Sequence, residues 1–176
     1  MITFELNTTA ITAALAGLAA TLSDMSPVMN EIGAHLRDTT EDRFKTGTGP
    51  DGSAWAPRSP VTLARYEREG KKPGPHPLTL TGAMSNSIFH SYGSTFAEVS
   101  SNAIQAAVMQ FGAAQGSFGA AMGRTRPSEK RPKSQDYFVT LPWGDIPARP
   151  FIGISDEDEA NVLDIIAEAL ARSLEP

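Results

Sequence analysis

A chain of 176 residues has room for one well-packed domain, with two small ones as the less favoured division. With 40% apolar and 20% charged residues it fits a soluble globular protein with generous loops, and a formal charge of −5 argues against a surface given over to nucleic acid while leaving room for a local basic patch. The absence of cysteine excludes disulfides and thiolate chemistry, no apolar run is long enough to cross a bilayer, and Glu5 interrupts anything resembling a secretory leader. Such a chain is expected in the cytoplasm, or in an assembly built there.

Ile2, Phe4 and Leu6 alternate with polar residues, the pattern of a short half-buried strand. Asn7 or Thr8 can cap a first helix running to about Leu22, with Ile11, Leu15, Leu18 and Leu22 as its apolar stripe. Ser26-Pro27 is a start signal for a second helix, Ser as cap and Pro at the first position. Its buried face is expected to carry Val28, Ile32, Leu36 and Phe44. The mixed charges from Arg37 to Arg43 read as a solvated face, and His35 as a surface or boundary histidine.

Between Thr46 and Pro60 the chain reads as a loop, with Asp51-Gly52 as a turn pair. Trp55 is expected to pin this loop by burying its ring. Ser59-Pro60 repeats the cap-and-proline signal before a short helix over Val61 to Arg68. An exposed connector, Lys71 to Pro77, contains His76 with no second ligand-type neighbour, and a helical turn follows at Ala83 to Ser87. Period two then sets in, with Ile88 to Tyr92, a turn at Gly93-Ser94 and Thr95 to Val99 making a hairpin. An alanine-rich helix from Ala103 to Phe111 should end on Gly112.

Residues 113–136 change character. A Gly/Ala tract to Gly123 leads into a basic tract with Arg124, Arg126, Lys130, Arg131 and Lys133 against the single acid Glu129. Without apolar periodicity it reads as an inserted flexible loop in a single domain spanning 1–176. Tyr137, Val139 and Leu141 restore strand alternation. Pro147 and Pro150 then hold Ile146 and Arg149 extended, so that Ile146 to Gly153 should be a stiff segment with Arg149 pointing out and Phe151 and Ile152 as anchors. On residue chemistry alone this is a strand-to-helix connector. Ser155 and the acids Asp156 to Glu159 open a final helix, the acids complementing its dipole, with Val162, Ile166, Leu170 and Leu174 on one face. The fold class expected is α+β: two N-terminal helices and a C-terminal helix around a small antiparallel sheet, with long loops.

Chemistry-bearing constellations are missing from this pattern. His35, His76 and His90 stand in unrelated contexts without metal-ligand spacing, no GxSxG elbow occurs, and the glycines of 112–123 do not follow phosphate-loop spacing. No catalytic residue, metal or cofactor is assigned. The basic tract has three readings: phosphate contact that weakens with salt, a solvated loop, or a segment that orders on an acidic partner subunit. A nucleic-acid-binding accessory protein using Arg124 to Lys133 is the alternative function.

An ordered set of short motifs points further. Phe44, Pro50-Asp51-Gly52-Ser53-Ala54-Trp55-Ala56-Pro57, Thr62, Leu80-Thr81-Gly82-Ala83-Met84, Ser87-Ile88, Gln110-Phe111-Gly112 and Pro147-Ala148-Arg149-Pro150-Phe151-Ile152-Gly153 follow one another. From Phe44 to the final helix the chain resembles the virion morphogenesis (tail completion) family of Mu-like and P2-like tailed phages. Met109 stands where family members often have histidine, and the insertion from Ala113 to Gln135 is longer than the family pattern, so no role is carried over at either place. The resemblance implies a structural virion protein at the head–tail junction, acting in tail completion or head–tail joining. It also implies a ring of identical subunits, commonly six, with connector and tail-tube proteins as neighbours and DNA in the channel, and it implies no catalytic residue. Trp55, Arg149 and Phe151, with the five cations of the basic tract, are the interaction candidates.

Overall fold

The computed structural model describes residues 8–117, 120–124, 136–140 and 144–174. The expected strand at Ile2 to Leu6 lies outside them. The described chain is α+β, with helices α1 (Thr9–Ser23), α2 (Ser26–Thr46), α3 (Pro60–Arg68), α4 (Ala106–Phe111) and α5 (Asp156–Leu174). Strands β1 (Ile88–Tyr92) and β2 (Ala97–Ser101) form one antiparallel hairpin, and β3 (Ala120–Arg124) and β4 (Asp136–Thr140) form another. No single described helix is long and apolar enough to cross a membrane. The chain divides into two compact units, one of residues 1–103 with 151–176 and one of residues 104–150.

In the first unit, α2 is the central element. Its N-cap is Met25, which makes no side-chain cap bond, and Ser26, expected as the cap, is its first residue; Asp24 Oδ1 accepts from Ser26 N at 3.0 Å. Those bonds from Ser26, hydroxyl and amide, hold the Asp24 carboxyl below its ordinary pKa. Val28 and Ile32 of α2 bury against Ala169 of α5, with Leu36, Val162, Ile165 and Ile166 packed around them. This is the i, i+4 stripe expected of α2; on α5, Val162 and Ile166 pack as expected, but Ile165 and Ala169 join them while Leu174, expected on the same face, is 47% exposed. The first hairpin lies on the same helix. Ile88 is buried, and His90 Nε2 pairs with Asn30 Oδ1 at 3.0 Å, so this histidine is a fastener between strand and helix. β1 and β2 run in the register Ile88↔Ser101 to Tyr92↔Ala97, two residues later on the second strand than the alternation suggests. Ser59 caps α3 as expected, its side chain accepting from Thr62 N at 3.2 Å.

Helix α1 departs from the expected packing. Leu15 and Leu22, members of its predicted stripe, are 59% and 58% exposed. The helix instead meets α5 through Gly17, where an added Cβ would stand 2.4 Å from the Ser173 carbonyl oxygen. Helix axes approach closely where side chains are small; Ala14, Gly17 and Thr21 share the less exposed face of α1 with Leu18, and Gly17 gives the point of closest approach.

The second unit also revises the reading. The Gly/Ala tract, expected as loop, contributes β3, paired with β4 from Ala120↔Thr140 to Arg124↔Asp136. Strand pairing here overrides composition, since Ala, Met and Gly have little intrinsic β preference. Residues 125–135 and Leu141 lie outside the described residues. Helix α4 is shorter than expected and ends on Gly112 as expected, at φ 73°. A Cβ there would lie 2.7 Å from the Ile146 oxygen and 2.9 Å from Ala148 N, so glycine answers both the left-handed backbone and the close crossing of the extended segment.

The Gly17 contact can be tested by sign. Gly→Ala in an ordinary helix interior stabilises by about 0.5–1 kcal/mol. Gly17→Ala is expected instead to destabilise, by about 1–3 kcal/mol from overpacking against Ser173, read as a lower urea midpoint.

Candidate functional site

Where α2 ends, the chain builds a buried polar knot. Arg43 Nη1 donates to the carbonyl oxygens of Phe151 (3.0 Å) and Gly153 (2.8 Å), and Nη2 donates to Asp158 Oδ2 at 2.6 Å. The Asp158 side chain is 2% exposed. Asp158 sits in the first turn of α5, where Ser155 N (2.9 Å) and Ser155 Oγ (2.7 Å) donate to Oδ2 while Asp158 N donates back to Ser155 Oγ at 3.1 Å. That is a reciprocal helix cap built with aspartate. His35 places Nε2 at 3.5 Å from Asp158 Oδ1, and this nitrogen is buried with no hydrogen-bond partner among the described residues.

This geometry corrects two expectations. Arg43 is not part of a solvated face, and Asp158 is not merely a dipole complement. Burial pushes the Asp158 carboxyl up, but the bonds from Ser155, the Thr39 hydroxyl and the Arg43 charge outweigh it and leave the pKa below its ordinary value. Burial lowers the Arg43 pKa against the opposing pull of Asp158, and the guanidinium remains cationic. No local signal announces the pair, because its members are 115 residues apart. Only Ser155 three residues before Asp158 marks the cap.

Beside the knot lies an aromatic nest. Phe151, 0% exposed, has its ring centroid 5.4 Å from that of Phe44, and Phe44 meets Trp55 edge-on at 5.3 Å. Trp55 therefore pins its loop as the sequence suggests. Its amide bonds to Gly47 O at 2.9 Å, and Thr48 bridges Ala54. The exposed tip turns on Asp51, whose Oδ1 accepts from Ser53 Oγ (2.7 Å) and Ser53 N (3.0 Å); those bonds lower its pKa. Pro50 also lies against Gly153, where a Cβ would stand 2.6 Å from Pro50 Cγ. The loop, the end of α2 and the start of α5 are thus one packed body.

An open cleft of about 370 Å³ runs past Phe44 between Glu41, Lys45, His76 and Asn86. Its wall is held by Arg58, which donates to the carbonyls of Gly74 (2.9 Å) and His76. Among the described residues no group of three His, Asp or Glu side chains is arranged to hold a metal ion.

Of the interaction candidates, Trp55 and Phe151 come together around Phe44. Arg149 belongs to the other unit, where the segment 145–149 runs beside the end of α4. Ala113 and Ile146 exchange bonds of 2.9 and 2.7 Å, and Arg149 N donates to Met109 O at 2.7 Å. The Arg149 side chain does not point out as expected. It is buried, with Nη1 3.4 Å from the Pro147 oxygen, because a guanidinium can satisfy its donors on backbone carbonyls and so tolerate burial. Arg124 is the last residue of β3, while Arg126, Lys130, Arg131 and Lys133 lie outside the described residues.

The buried knot and nest thus fix backbone segments to one another. Comparison with known sequences gives the class, a protein of phage virion morphogenesis. The chain belongs to the phage virion morphogenesis family, whose pattern matches residues 6–171. It is 29% identical over 144 residues to the putative capsid assembly protein G of Escherichia phage Mu, covering 81% of this chain and 78% of that protein. No solved structure matches it.

Two outcomes test the site. Asp158→Asn leaves Arg43 buried with its charge uncompensated, and a loss of about 3–5 kcal/mol is expected in urea unfolding at neutral pH. Because the folded-state pKa of Asp158 lies below the ordinary 3.8, its contribution is complete above that value and is lost as pH falls through the lower folded one. The stabilities of wild type and variant should therefore converge in strong acid. Trp55→Ala should cost about 3–5 kcal/mol, with the 47–57 loop becoming the first site of proteolytic nicking under native conditions.

Proposed function

We propose that this protein is a structural, non-catalytic subunit of a tailed-phage particle, placed at the head–tail junction, where copies form a ring that completes the tail or joins it to the filled head. Membership of the virion morphogenesis family over residues 6–171 carries this reading. The capsid-assembly name of the Mu relative is in keeping with it. The knot at Arg43 supports it physically, since a ring subunit must hold its contact surfaces at fixed angles for the rotation to close. Connector and tail-tube proteins are the proposed neighbours, and assembly takes place in the host cytoplasm. The tract from Arg124 to Lys133 is assigned to non-specific contact with DNA phosphates in the channel. The Gly/Ala and basic run gives a nucleic-acid-binding accessory role its only footing, and the overall charge of −5 weighs against that.

A phage carrying an early stop codon in this gene decides the matter. The expected result is filled heads and unjoined or abnormal tails by electron microscopy, with normal particles restored by the protein supplied in trans and the protein found by mass spectrometry in purified virions. Normal infectious particles without it would overturn the reading. Substituting Arg126, Lys130, Arg131 and Lys133 by alanine should flatten the salt dependence of binding to duplex DNA without altering the mass of the assembled species.

A further inference from the structure

The first unit carries two exposed apolar helix faces edged with opposite charge. On α5, away from the core, Ala160, Leu163, Ala167, Ala171 and Leu174 recur at i, i+3, i+7, i+11 and i+14, and all are exposed, Leu163 at 67%. Glu157, Asp164 and Glu168 follow one edge of this stripe and Glu159 the other, all of them exposed. Asp158 is excluded from this surface by its pairing with Arg43. On α3, Val61, Ala64, Arg65 and Arg68 share one face at i, i+3, i+4 and i+7, with Val61 79% exposed, Glu67 and Glu69 at its edges, and Lys71 and Lys72 just beyond, so that cations outnumber acids there. Thr62 and Tyr66 form the opposite, less exposed side, and no described helix or strand packs extensively on α3. The ion pairs that Glu69 makes with Arg65 (3.9 Å) and Lys71 (2.7 Å) are solvent-exposed and so hold these cations only weakly.

We infer that the α3 face of one copy docks on the outer face of α5 in a second copy, head to tail. The occupant follows from charge. An α5 face set against another α5 would oppose acids to acids, and α3 against α3 would oppose cations to cations. Each face finds its complement on the other, and both complements are on this chain. Two different patches pairing between identical subunits make a heterologous contact, which propagates until the rotation closes. The contact combines apolar residues (Val61 and Ala64 on Leu163 and Ala167) with flanking cations on acids, so it is expected to weaken as salt rises. The proposal rests on the ring reading above and names the surfaces that such a ring would use.

The chain has no cysteine, so single introduced cysteines report the contact without background. Val61→Cys and Leu163→Cys change exposed residues and should leave the fold intact, as circular dichroism will show. Mixed under mild oxidation at low salt, the two full-length proteins are expected to give a disulfide-linked pair at least about tenfold faster than either alone, because docking raises the effective concentration of the thiols. A chain carrying both changes should give a ladder of covalent oligomers. Arg65→Glu with Arg68→Glu in the Val61→Cys protein should abolish the gain. Equal cross-linking of each protein alone, or none above background in the mixture, overturns the contact. So does capture of Val61→Cys by another virion protein in place of its own copies. Those outcomes leave the virion role standing if the stop-codon phage still fails to assemble; normal particles from that phage remove the role itself.

Discussion

The arrangement of the first unit depends on one buried cation. Arg43 satisfies three acceptors at once, two carbonyls of the 151–153 segment and the carboxylate of Asp158, and each belongs to chain that follows an excursion of more than a hundred residues. A planar guanidinium with a fixed fork of donors suits this task, whereas a lysine ammonium would be a point charge free to choose among them. Removing two ions from water is costly, and an apolar pair of equal volume can be as stable. What the ionic pair adds is geometry. Both carbonyls and the capping carboxylate have to be present before Arg43 is satisfied, so misplacing α5 by one residue leaves a buried charge unpaired.

That requirement explains why the aromatic nest is ordered. Phe151 is itself one of the residues whose carbonyl Arg43 holds, and its ring is fully buried against Phe44, the residue next to Arg43. Trp55 also packs edge-on against Phe44 and carries the 47–57 loop with it. The polar knot fixes position and the nest adds apolar burial beside it. Neither would suffice alone: aromatic stacking tolerates sliding, and an isolated ion pair has little net stabilisation.

These couplings set the limit of what the sequence could reveal. Signals confined to a few neighbouring residues were legible: Ser59 before Pro60, Gly112 after α4, Asp51-Gly52 in its turn, and the period-two run of β1. The motif order that carries the family resemblance was legible for the same reason, since each motif is a local requirement of turn or packing. Patterns that depend on what lies opposite were not. The leucines of α1 have helical spacing, yet Leu15 and Leu22 are exposed and the helix meets α5 closely at Gly17. Arg43 sits in a run of mixed charge that resembles a solvated face until Asp158 is brought to it. Arg149, flanked by prolines, reads as projecting, yet its side chain is buried, with Nη1 3.4 Å from the carbonyl oxygen of Pro147. In β3 the strand is imposed by its partner β4, which composition could not foretell.

A subunit of this construction separates two demands. Inside, charge is spent on position; outside, α1, α3 and α5 leave leucines, valine and alanines in solvent, which a protein acting alone would tend to cover. Each such face is small, and a contact of a few apolar side chains with flanking charges binds weakly by itself. On the proposed reading that weakness has a use. Contacts that are weak between two copies become strong when a closing circle makes the last one intramolecular, since closure adds a contact without the entropic cost of a further association. Assembly would then be conditional on many copies, or a template, meeting at one place. A subunit with a single large apolar interface would instead dimerise wherever it was made. The rigid knot at Arg43 is the complement of this logic: weak surface contacts close a ring only when the angle between them is fixed from within.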